Sequence, residues 1–124
     1  MARKRLLALD DEIEILKVVG HVAEKLDFEV EKASTWRDFE NTYTSFDPDV
    51  VVLDLIMPEK DGTEVAKWLG KQGYKGQLIV ISGYNPLYGK MLRAMCENDG
   101  MTNVQQMSKP LDLEKFRDIL MQAA

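Results

Sequence analysis

Asp47-Pro48-Asp49-Val50-Val51-Val52-Leu53-Asp54-Leu55-Ile56-Met57 is the stretch that decides the fold. Its Asp-Pro-Asp triplet breaks any preceding helix, because a residue before proline is pushed out of the helical region. Val50 to Leu55 then reads as a strand, and its continuous aliphatic run Val50-Val51-Val52-Leu53, rich in β-branched residues, is the pattern of a strand covered on both faces. Strands of that kind belong to parallel sheets with helices above and below. Asp54, flanked by Leu53, Leu55 and Ile56, puts a carboxylate where burial is costly unless it is paired.

Toward the amino terminus, Leu6-Leu7-Ala8-Leu9 is a run of the same type, and it too ends on acids, Asp10 and Asp11. Open α/β sheets place their ligands at the carboxyl ends of the strands. With both strands central, Asp10, Asp11 and Asp54 converge at one edge. Carboxylates so placed repel one another unless a cation neutralises them, and an all-oxygen site suits Mg²⁺.

The remaining segments alternate between the two periods. Glu12 to Leu26 spaces Ile15, Leu16, Val19, Val22, Ala23 and Leu26 on one helical face. Phe28-Glu29-Val30-Glu31 alternates apolar and acidic residues, which predicts an edge or half-exposed strand. Ser34 or Thr35 caps a helix carrying Trp36, Phe39 and Tyr43, and Asp61-Gly62-Thr63-Glu64 reads as a capping box for a helix with Val65, Ala66, Trp68 and Leu69. Leu78 to Ile81 is a buried strand ending at Ser82-Gly83. Asn85-Pro86 suits the start of a helix running to about Glu97, with Gly100 placed to end it and Met91, Met95, Cys96 and Met101 packing around it. Val104 to Met107 is a weaker strand interrupted by two glutamines, and Asp112 caps a last helix that buries Leu113, Phe116, Ile119 and Leu120. Five strands alternating with five helices predict a flavodoxin-like, doubly wound parallel sheet with right-handed crossovers and helices on both faces.

Composition narrows the function. The 124 residues, 45% of them apolar, suffice for one core, so 1–124 is expected to be one domain. A net charge of −5 disfavours nucleic-acid binding, and Arg3-Lys4-Arg5 reads as a solvated strand end. One cysteine, Cys96, precludes an internal disulfide and fits a reducing, cytoplasmic setting. No run of about 20 apolar residues appears, so no membrane span is expected.

Ser82 and Lys109 fall at or just past the ends of the last two strands, joining the three aspartates. Leu-Asp-Asp near the start, Asp-Pro-Asp-Val-Val-Val-Leu-Asp-Leu-Ile-Met-Pro-Glu-Lys-Asp-Gly, Ile-Ser-Gly and Ser-Lys-Pro-Leu together resemble the receiver domain of two-component response regulators over nearly the whole chain. Any one of these pieces recurs by chance, but all in this order do not. The resemblance implies a phosphoacceptor that takes a phosphoryl group from a histidine kinase or phosphotransfer protein and switches an output domain or partner. Such a module would catalyse only its own phosphorylation and dephosphorylation. Asp54 would be the acceptor, with Mg²⁺ held by Asp11, Asp54 and the backbone carbonyl of Ile56, and by Asp10 through water. Lys109 would supply a charge and Ser82 a hydrogen bond to phosphoryl oxygens, and the Lys109-Pro110 bond would be cis.

Taken singly, Asp10-Asp11-Glu12 would be a solvated first turn favouring the helix dipole, Ser82 a turn residue, Lys109 a surface lysine and His21 a rim residue. Their joint placement favours a site. A phosphatase of the haloacid-dehalogenase type would need a second aspartate where Ile56 stands. A degenerate receiver acting as a fixed interaction module would not need Asp54, Lys109 and the acidic pair. The chain departs from the commonest receiver pattern at Gln106, where many carry Tyr or Phe, so output is expected through Ser82 and residues 83–87. Ile56 and Tyr84 would flank the approach of hydrolytic water. The long segment from Ser82 to Lys109, with Gly100-Met101 before the last strand, is similar to receivers attached to EAL-type cyclic-di-GMP phosphodiesterases.

Overall fold

The structure, a computed structural model, describes residues 3–57, 60–83, 86–98, 100, 101 and 103–123, without the side chains of Pro86, Tyr88 and Gly89. Expectations resting on Tyr84 and Asn85 lie outside the described residues. Strands β1 (Arg5–Leu9), β2 (Glu29–Ala33), β3 (Val50–Asp54), β4 (Gln77–Ser82) and β5 (Val104–Ser108) alternate with helices α1 (Ile13–Lys25), α2 (Trp36–Phe46), α3 (Gly62–Lys71), α4 (Pro86–Asn98) and α5 (Leu113–Ala123). All pairings are parallel, in the order β2-β1-β3-β4-β5. The alternating acidic strand, β2, is an edge as its pattern predicts.

Period two explains how runs without polar interruption serve two layers. Leu7, Leu9, Val51, Leu53, Leu78, Val80 and Val104 face one side, against Phe39 of α2, Val65 and Leu69 of α3, and Leu92 and Cys96 of α4. Leu6, Ala8, Val50, Val52, Ile79, Ile81 and Met107 face the other, against Leu16, Val19 and Ala23 of α1 and Phe116 and Leu120 of α5. Central strands therefore need apolar residues at every position. The weak fifth strand tolerates Gln105 and Gln106 because β5 is the other edge, where both are half-buried.

Local chemistry sets the boundaries. Thr35 accepts from the Asp38 N–H at 3.2 Å and caps α2, and Asp112 Oδ1 accepts from the Lys115 N–H at 3.1 Å and caps α5. Asp61 Oδ1 caps α3, accepting from the N–H and hydroxyl of Thr63. Gly100, at φ 84°, follows α4 in the left-handed conformation that favours glycine. At Gly62 the constraint is space, since a Cβ there would lie 2.6 Å from Leu55 Cα. This close approach lets the Gly62 N–H donate to Leu55 O at 2.9 Å and pins the start of α3 to the end of β3.

Between α2 and α3 lies an aromatic stack: Trp36 meets Trp68 edge-on at 5.1 Å, Tyr43 meets Trp68 at 5.0 Å, and Tyr43 meets Tyr74 at 6.2 Å. Lys60, in the loop entering α3, sits 4.6 Å above the Trp36 ring. Burial raises the Tyr74 phenol far above its ordinary range, and its hydroxyl donates to Gln77 O at 2.7 Å.

Two expectations about side chains are corrected. Met91 is 72% exposed and Leu113 45% exposed. Leu113, the first residue of α5, lines a shallow groove against Lys17, Val18, His21 and Val22 of α1 instead of entering the core. Met91 lies on the outer margin of the α4 stripe, while Leu92 and Cys96 face inward. His21 is exposed, as expected.

Candidate functional site

From β1 the chain winds one way to β2 and the other way to β3, β4 and β5, so the strand order reverses between β1 and β3. A crevice opens at such a switch point, outside the carboxyl ends of the strands. Here β1 delivers Asp10 and Asp11 and β3 delivers Asp54. One carboxylate oxygen from each lies within 4.8 Å of the others. Asp10 and Asp54 are each only 3% exposed, whereas Asp11 is open to solvent. Asp11, Glu12, Asp54, Ile56, Met57, Gly83 and Lys109 line a cleft of about 480 Å³. A larger cleft, about 830 Å³, lies at the opposite end of the sheet around Lys4, Asp49, Tyr74 and Gln77, and holds none of these groups.

Lys109 enters from the β5 side. Its N–H donates to Ser82 O at 2.9 Å, tying the end of β5 to that of β4, and the Lys109-Pro110 bond is cis as expected. Its ammonium stands 3.6 Å from Asp54 Oδ2, 3.7 Å from Asp10 Oδ2 and 3.0 Å from Glu12 Oε1. Ser82 is buried at the end of β4, level with Ser108 of β5. Ile56 is 48% exposed at the cleft, and its N–H donates to Asp54 Oδ1 at 3.3 Å. All six residues expected from the sequence thus meet at one edge. The sequence missed Glu12 as a partner of Lys109; its position directly after the acidic pair, at the root of α1, was the available signal.

Electrostatics match this crowding. Burial, then the charge of Asp10, pushes the Asp54 carboxyl up to about 7, against the Ile56 hydrogen bond and Lys109, which lower it. Asp10 is likewise raised, chiefly by burial. Burial works to lower the Lys109 ammonium, but the hydrogen bond to Glu12 and the charges of Asp54 and Asp10 outweigh it and hold the group above its ordinary value. Asp10 Oδ1 accepts from the Glu12 N–H at 2.8 Å, while its buried Oδ2 has no hydrogen-bond partner among the described residues. The edge is short of positive charge even with Lys109 in place, which a hard divalent cation would correct.

Fold and edge together define a doubly wound α/β protein that gathers charge at its switch point. The chain belongs to the response regulator receiver domain family, whose profile matches residues 6–121. It is a phosphoacceptor module of two-component signalling. It is 25% identical over 118 residues to sporulation initiation phosphotransferase F of Bacillus subtilis, covering 95% of this chain and 91% of that one. It is 28% identical over 89 residues to the alkaline phosphatase synthesis transcriptional regulatory protein PhoP of the same organism. That match covers 72% of this chain but 37% of the regulator's length. Among solved structures, chemotaxis protein CheY4 of Vibrio cholerae superposes with a TM-score of 0.85 at 22% identity, over 99% of this chain and 100% of that one. No helix among the described residues is long and apolar enough to cross a membrane.

Proposed function

We propose that Asp54 is the phosphoacceptor of this receiver and that residues 1–124 form a single domain around it. The observation carrying this reading is the convergence of the buried Asp54 carboxylate with Asp10, Asp11 and Lys109 at the switch point. In the reaction, an Asp54 oxygen forms a bond to phosphorus as the bond from phosphorus to a histidine nitrogen breaks. The imidazole leaves with the electron pair and is protonated from solvent. Such a transfer depends on positioning and on neutralising the equatorial oxygens.

Three carboxylates, one with an orphaned buried oxygen, fit Mg²⁺. Asp11, Asp54 and the Ile56 carbonyl would hold it, with Asp10 acting through water. When bound, the ion supplies charge that offsets the phosphoryl oxygens. Lys109 contributes a second, mobile charge, and the Ser82 hydroxyl donates a hydrogen bond. The donor is a histidine kinase or phosphotransfer protein. The output is a domain or partner switched by the phosphoryl group, and an EAL-type phosphodiesterase is supported by the spacing around Gly100. No nucleic acid is a direct partner, consistent with the net charge of −5. A reducing, cytoplasmic setting is supported by the single, buried Cys96.

Intact mass after incubation with acetyl phosphate and a divalent cation tests this. One retained phosphoryl group is expected on the wild type, and none on Asp54→Asn or in EDTA. A normal yield on Asp54→Asn, or labelling undiminished by EDTA, overturns the assignment. Turnover with no retained adduct points instead to a phosphatase.

A further inference from the structure

Glu12 takes part in none of the steps above, yet it makes the shortest contact to the lysine that does. Its main chain is fixed from both sides: its N–H donates to Asp10 Oδ1 at 2.8 Å, and its carbonyl accepts from the N–H groups of Ile15 and Leu16. From this rooted position the side chain reaches over the cleft and accepts a hydrogen bond from Lys109 Nζ at 3.0 Å. Asp54 and Asp10, at 3.6 and 3.7 Å, attract the same ammonium without a hydrogen bond. The competing acids also differ in hydration. The Glu12 side chain is 57% exposed and that of Asp54 4%. Water can therefore take over the Glu12 carboxylate at little cost when the lysine leaves, whereas an abandoned buried carboxylate would have no such replacement.

We propose, resting on the phosphoacceptor reading, that Glu12 is a positioning residue for Lys109. It holds the ammonium while Asp54 is bare and yields it when a phosphoryl group arrives. Glu12 thus sets how much of the attraction between Lys109 and the phosphoryl oxygens is spent on breaking an existing pair. An exposed ion pair of this kind changes an equilibrium by about two- to fivefold.

Two measurements test it. In Mg²⁺ solution, beryllofluoride binds as a phosphoryl mimic, and Glu12→Gln is expected to tighten that binding by about two- to fivefold. Glu12→Asp keeps the charge but is one methylene shorter and loses the contact, so it tightens binding as well. Glu14→Gln removes a charge two residues along, where the side chain pairs with Lys17, and leaves binding unchanged. In a Lys109→Gln background, Glu12→Gln has no further effect. Separately, in metal-free protein, competitive acetylation followed by peptide mass should show Lys109 reacting faster, relative to Lys115, in both Glu12 variants.

Glu12→Asp behaving as wild type, an equal gain from Glu14→Gln, or an undiminished gain without Lys109 would each overturn the proposal, leaving only long-range charge. Unchanged Lys109 acetylation in both variants would do the same. Failure of the wild type to bind the mimic would instead refute the phosphoacceptor reading, while the metal-free labelling would still decide whether Glu12 restrains Lys109.

Discussion

Without a divalent cation the protein's stability should fall with rising pH, and Asp54→Asn should abolish most of that fall. The Asp54 carboxyl moves from an ordinary value of 3.8 to about 7 on folding. Its folded form holds a proton more tightly than the unfolded chain does. The stability tied to that proton is fully present below about pH 4 and is lost as pH rises through about 7. Roughly three pK units correspond to a ceiling of about 4 kcal/mol. Sharing of charge with Asp10 and Lys109, and screening at the open side of the cleft, reduce the expected loss to about 1–3 kcal/mol. The assay is urea unfolding in EDTA at pH 5 and pH 8, for wild type and Asp54→Asn, repeated with Mg²⁺. The difference between the two proteins removes the titrating groups remote from the site and leaves Asp54 with its coupling to Asp10 and Lys109. Asp54→Asn should be the more stable at pH 8, and Mg²⁺ should restore the wild type. An Asn variant that is no more stable than wild type at pH 8, with a difference that does not vary with pH, would refute the reasoning.

Gly62→Ala should cost about 1–3 kcal/mol in the same unfolding assay, because its Cβ meets the Leu55 backbone, which cannot give way; a neutral effect would mean that α3 can slide from β3. Phe116→Ala, emptying a fully buried ring site under the sheet, should cost about 3–5 kcal/mol, and a loss under 1 kcal/mol would show that α5 collapses inward to fill the space. Ile56, half-exposed at the cleft, offers no hydrogen bond to a water approaching a phosphorylated Asp54. Ile56→Asn should therefore speed decay of the phospho-form by roughly tenfold, measured after removal of the phosphodonor; an unchanged decay rate would remove Ile56 from that role.

How much could be read from the chain depended on distance along it. Asp10, Asp11, Asp54 and Ser82 were legible because each is covalently joined to the end of an aliphatic run, and the position of that end follows once the run is a buried parallel strand. The edge position of β2 was legible in its alternating acids, whereas the order of the strands and the place of β5 at the other edge emerged only in the fold. Glu12 was not legible as a partner of Lys109, since that contact spans 97 positions and depends on how two loops approach. Met91 and Leu113 were misjudged for a different reason. Helical periodicity identifies a stripe, but the margin of a stripe can face a groove or solvent as readily as the core.

Both tryptophans of the chain sit in the stack between α2 and α3, and none lies on the side of the sheet that carries α1 and α5. Intrinsic emission is therefore a one-sided gauge. It reports loosening of the α2 and α3 layer, and the cation resting on Trp36 links that light to the loop leading from β3 into α3. A ligand-induced change in Trp36 colour would register movement beside the cleft with no label attached. The layer of α1 and α5 is dark to the same instrument, so an emission melt that lags behind amide exchange in those helices would be the optical sign of two faces coming apart separately.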